Sequence, residues 1–131
     1  MRYRIQLVKT AAVALGLALA SHAAVAQEQI GAFTAFIGKP DMTNDKGATL
    51  SEPWRVLSQD RTNFHRFGVS QPGDQWDPFF GSSQSRKSLQ NLVARGDVSS
   101  KAANRLKSGG IILVRVLGQG GKPTAINISV P

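Results

Sequence analysis

Residues 111–117, IILVRVL, carry apolar side chains on both alternating faces, interrupted by Arg115 alone. A strand of that pattern must be covered on both sides and flanked by two neighbours. Gly109-Gly110 precedes it and a glycine-rich stretch, GQGGKP, follows it. Residues 124–130, TAINISV, then alternate cleanly, with Ile126, Ile128 and Val130 inward and Ala125, Asn127 and Ser129 outward. The two segments read as a hairpin closed through residues 118–123. Two strands alone are marginal in water, so the chain N-terminal to them must supply the second neighbour.

Residues 27–36 fill that role, with an apolar alternation broken at Gly38-Lys39-Pro40. Residues 41–51 are turn chemistry around Asn44-Asp45-Lys46-Gly47. Short strands are expected over 54–57 and 64–69, where Phe64 and Arg66 alternate with His65, Phe67 and Val69. Residues 70–83 are irregular, with turns at Pro72-Gly73 and Asp77-Pro78.

Leu89, Leu92 and Val93 share one helical face in residues 83–95, and Gly96 follows where a left-handed cap would end that helix. Ser99 or Ser100 caps a second helix that Gly109-Gly110 stops, with Val98, Ala102 and Leu106 four apart on one side. The short connection makes the pair a helical hairpin. The expected fold is α+β: a small antiparallel sheet with a C-terminal β-hairpin and one helical hairpin packed on a face.

Residues 1–26 are read as an address and not as fold. Arg2, Arg4 and Lys9 precede a short apolar run, and Ala24-Val25-Ala26 gives a small-x-small end. That is the build of a secretory signal peptide, and its apolar run is about half of the roughly 20 residues a membrane span needs. Cleavage near Ala26 would leave residues 27–131 as one small α+β domain, periplasmic or secreted. Without any cysteine, disulfides, thiolate catalysis and Cys-ligated zinc are excluded. Neither a cofactor nor a metal ligand set is read from the residues.

Charge is segregated. From Gln27 onward 13 Lys and Arg face 8 Asp and Glu, but residues 83–109 hold Arg86, Lys87, Arg95, Lys101, Arg105 and Lys107 against Asp97 alone. A single-sign helical surface suits an anionic partner, whereas a merely solvated face mixes signs. The leading expectation is therefore a non-enzymatic exported bacterial envelope protein. It would bind an anionic envelope component or an acidic protein through Arg86, Lys87, Arg95, Lys101 and Arg105. Export argues against nucleic acid as that partner.

Three other constellations compete. Trp76, Phe79 and Phe80 in a turn-rich loop could dock a partner protein, as could a free sheet edge, or the rings could close an end of the core. His65 has Asp60, Asp74 and Asp77 nearby in sequence, with Ser58 and Ser70 as hydroxyls, so a hydrolase is conceivable. No nucleophile elbow frames any serine, and no catalytic residue is assigned. Asp41, Thr43, Asp45, Thr49 and Glu52 fall at ligand positions of a twelve-residue calcium frame. Lys46, however, stands where that loop turns on glycine, which favours an Asx-rich turn.

Overall fold

The computed structural model describes residues 27–131; the expected signal peptide over residues 1–26 lies outside the described residues. Strand β1 (Glu28–Ile37) leads through a short 3-10 turn, Lys39–Asp41, to helix α1 (Pro53–His65). After an irregular loop come α2 (Ser83–Lys87), α3 (Leu89–Arg95) and α4 (Ser100–Ser108). Strands β2 (Gly110–Gln119) and β3 (Lys122–Ser129) close the chain. The fold is α+β, and its sheet is antiparallel in the order β1-β2-β3.

Strand β2 is central, as its apolar run requires. Val114 pairs with Phe33 of β1 and Ile128 of β3, and Val116 pairs with Ile126. The β2–β3 turn is Gly120-Gly121, with φ of 57° and 76°. Two left-handed residues in a row match the strand twist, and glycine adopts them without strain.

Phe33, Ala35, Ile37, Ile112, Val114, Val116, Ile126 and Ile128 form one buried sheet face. Val56, Leu57, Phe80, Leu89, Leu92, Ala102 and Leu106 complete the core from the helical layer. The opposite face of β2 is not covered in the same way. Ile111, Leu113 and Leu117 are half-buried there and Arg115 is exposed. The expectation of a doubly covered strand is corrected: the helices share a single core with one face.

Both sheet edges are partly occupied. Gln75 donates its amide to Thr34 O and accepts from Thr34 N through Oε1, while Phe36 N donates to Asp74 Oδ1. On the far edge Ile128 N donates to Asp97 O and Ser99 N donates to Ile128 O.

The strands expected over 54–57 and 64–69 do not form: residues 54–57 lie within α1, and α1 ends at His65, after which residues 66–69 run as turn and loop. Pro53 is well placed to open that helix because its missing N–H has no partner to lose in the first turn. Val56, Leu57, Asp60, Arg61 and Asn63 are buried at helical spacing. The expected first helix is divided at Ser88, which ends α2 and begins α3, and the two helices expected to pair as a hairpin, α3 and α4, pack on α1 and the sheet and hardly on each other. Gly96 is not left-handed; its φ is −109° and ψ −162°. A Cβ there would lie 1.7 Å from Ile126 O, so glycine is required by close approach to β3.

Candidate functional site

Helix α1 turns Arg61 into the core, where it is 0% exposed. Its guanidinium lies 4.6 Å from the ring centres of both Phe33 and Phe64. Nε donates to Asp60 Oδ2 at 2.8 Å, and Nη1 donates to Gln75 O and Asp77 Oδ1, each at 2.9 Å. Nη2 stands 3.6 Å from Asp74 Oδ1. A charge this deep is tolerable only when paired and hydrogen-bonded.

Asp77, Asp74 and Asp41 also organise backbone. Asp77 Oδ2 accepts from Phe79 N and Phe80 N at 2.8 and 2.7 Å, and its Oδ1 lies 2.7 Å from His65 Nε2. Asp74 accepts from Phe36 N and Gln71 N. Asp41 accepts from Gly38 N and Asn63 Nδ2.

Burial pushes Asp60 up to about 8, against the pull of Arg61 and with the charges of Asp41 and Asp74 adding to it. Burial would raise Asp77 too. Hydrogen bonds from His65, Arg61 and the amides of Phe80 and Phe79 outweigh it and hold that carboxyl below its ordinary value.

The cluster contains a His–Asp pair, His65 with Asp77. Among the described residues no serine or threonine hydroxyl is hydrogen-bonded to His65. Ser58 contributes its carbonyl to Thr62, and Ser70 stands exposed on the loop. The arrangement ties α1, β1 and the 71–80 loop together. The 41–52 segment is an Asx turn: Asn44 Oδ1 accepts from Lys46 N and Ala48 N, and Gly47 takes φ of 74°. Asp41 points away from that turn into the buried cluster.

The consequence for the surface is modest in net charge, because Arg61 and Arg86 are buried and Arg105 is half-buried alongside the acids. Asp41, Asp60, Asp74 and Asp77, half the acids after residue 26, have buried carboxylates. The exposed acids are Glu28, Asp45, Glu52 and Asp97. Against them stand exposed Lys39, Lys46, Arg55, Arg66, Lys87, Arg95, Lys101, Lys107, Arg115 and Lys122. The outside is thus slightly more basic than the sequence balance implies.

The five basic residues singled out on the expected hairpin divide. Lys87 at the end of α2, Arg95 in the last turn of α3 and Lys101 in the first turn of α4 are exposed. Within the described residues none of the three has a carboxylate within 4 Å. Arg105 is half-buried and donates Nη1 to Ile111 O at 2.6 Å. Arg86 is corrected: it is 7% exposed and donates Nη1 to Phe80 O. It sits three residues before Leu89 and seven before Val93, which puts it on the apolar side and not on the charged one.

The aromatic loop divides too. Phe80 is 1% exposed and packs edge-on to Phe33. Phe79 is half-buried, with its ring over Gly31. Trp76 is 68% exposed.

An open groove of about 500 Å³ lies where β1 ends and β2 begins, lined by Phe36, Ile37, Pro40, Met42, Gln71 and Gly109 among others. Among the described residues no helix is long and apolar enough to cross a membrane. No family model, no curated protein and no solved structure matches the chain.

Proposed function

We propose that the chain is an exported, non-enzymatic envelope protein that binds an anionic partner through the water-facing side of its helical layer, with Lys87, Arg95 and Lys101 as the contacts. One observation carries the reading: Lys87, Arg95 and Lys101 are exposed, and among the described residues none of them has a carboxylate within 4 Å. Ion pairing on the surface would otherwise neutralise them at short range. Lys107 extends the same set on α4. Arg105 and Arg86 serve the fold through backbone carbonyls and take no part. The leader-like composition of residues 1–26 supports export to the periplasm or beyond.

The test is salt-dependent retention on immobilised heparin. The double reversal Lys87→Glu/Lys101→Glu is expected to elute at markedly lower salt than the wild type. Lys46→Glu/Lys122→Glu makes the same change in net charge on a turn and at the start of β3, both outside the helices, and is expected to elute close to the wild type. Identical elution of the wild type and the Lys87/Lys101 variant refutes the reading. Equal losses in both variants refute the helical layer as the contact surface.

A further inference from the structure

We infer that the anionic partner is a lipid surface, met by the end of the molecule where Phe67, Val69 and Trp76 enter the headgroup layer and Arg66 and Lys87 lie against the phosphates. The inference rests on the anionic reading above and names its partner. Among the described residues, Phe67, Val69 and Trp76 are the exposed large apolar side chains, at 55%, 43% and 68%. All three lie between residues 67 and 76.

The fold brings their two segments together. Val69 N donates to Asn63 O, which folds residues 67–69 back on the last turn of α1. His65, two residues before Phe67, is bonded to Asp77, the residue after Trp76. That contact is fixed by the buried Arg61 cluster, so the apolar tips sit on a rigid base.

The surroundings are cationic. Arg66 stacks its guanidinium 5.1 Å from the Phe67 ring. Arg86 lies close enough to Arg66 for the two charges to disfavour each other. Lys87 follows on the same short helix. Between residues 61 and 96 the acids are Asp74 and Asp77, and both carboxylates are buried. Separate apolar tips with the exposed Arg66 against one of them, in a stretch of chain that carries no exposed carboxylate, fit the boundary between lipid headgroups and acyl chains. A protein interface would ask for a contiguous, closely packed apolar centre with the charges moved to its rim. Tryptophan suits the lipid boundary in particular, because its ring is apolar and its N–H is left to water or headgroups.

The experiment uses the protein carrying Trp54→Phe, so that indole emission reports Trp76 alone. Vesicles of phosphatidylglycerol and of phosphatidylcholine are the probes, with heparin retention measured in parallel. The inference expects co-sedimentation and a blue-shifted Trp76 emission with phosphatidylglycerol and neither with phosphatidylcholine. Phe67→Ser/Trp76→Ala should weaken vesicle binding about tenfold or more, equivalent to about 1.4 kcal/mol, and leave heparin retention unchanged. Heparin retention without vesicle binding overturns the lipid inference and leaves the anionic reading standing. Vesicle binding with no emission shift, or undiminished in the double variant, overturns the insertion of these side chains. Loss of both heparin and vesicle binding overturns the two readings together.

Discussion

Arg61 Nη1 lies 2.9 Å from Asp77 Oδ1, and both side chains are shut away from water, at 0% and 1% exposure. The bond spans the helical layer and the loop that carries Trp76. Truncating one partner of such a pair strands the other. Arg61→Met should therefore destabilise the domain by about 3–5 kcal/mol, read as a lowered urea midpoint. Arg61→Lys should recover little, because an ammonium cannot supply the fork that meets Asp60, Gln75 O and Asp77 at once. A near-wild-type midpoint for either variant would show that the cluster contributes no net stability.

Stability should depend on pH with two limbs of opposite sign. Asp60 is raised from 3.8 to about 8, by burial first. Its contribution is fully present below 3.8 and is lost as pH rises toward 8, because the unfolded chain releases that proton earlier. Asp41, raised chiefly by burial, adds to the same limb. Asp77 is lowered, so its contribution is present above 3.8 and is lost as pH falls through its folded value. The domain should be most stable at mildly acidic pH. Asp60→Asn should flatten the Asp60 limb, so that its Tm relative to the wild type climbs between about pH 4 and pH 8. Parallel Tm curves for the two proteins over that range would remove Asp60 as the source.

The hairpin of β2 and β3 was legible because period-two alternation and a Gly-Gly turn are local signals that agree. Helix α1 was not, because Gln59, Asp60, Arg61, Thr62 and Asn63 read as polar loop between two short apolar runs. Pro53 and the spacing of Val56, Leu57 and Phe64 were the available signs of a helix. The Arg61 cluster joins residues 14 and 16 positions apart, and burial of four acids reverses the usual rule that charge faces water. Lys87, Arg95 and Lys101 were legible as surface because they fall outside the apolar spacing. Arg86 falls inside it, and its burial follows.

The three rings of the aromatic loop should separate in a stability series. Trp76→Ala removes a side chain that is mostly in water and should shift the unfolding free energy by less than about 0.5 kcal/mol. Phe80→Ala opens the core between Phe33 and Phe79 and should cost about 3–5 kcal/mol. Phe79→Ala should fall between them, since its ring covers Gly31 from a half-buried position. Urea unfolding checks the order. A large loss for Trp76→Ala would mean that this ring packs on the domain and is not free to meet a partner.

Two glycines with different reasons for being glycine give the sharpest contrast. Gly96 has a backbone conformation open to alanine, but a methyl group would collide with Ile126 O of β3. That contact sits where Asp97 and Ser99, in the connection between α3 and α4, bond to the sheet edge through Asn127 and Ile128. Backbone cannot step aside there without breaking those bonds, so Gly96→Ala should cost more than about 2 kcal/mol. Gly120 is left-handed at φ 57° with open space around it. Asparagine adopts that region readily at the first position of such a hairpin turn, so Gly120→Asn should change stability by no more than about 0.5 kcal/mol. Thermal unfolding of the two variants side by side decides the matter: a Gly96→Ala protein as stable as the wild type would mean that the chain at residue 96 does not pass so close to β3.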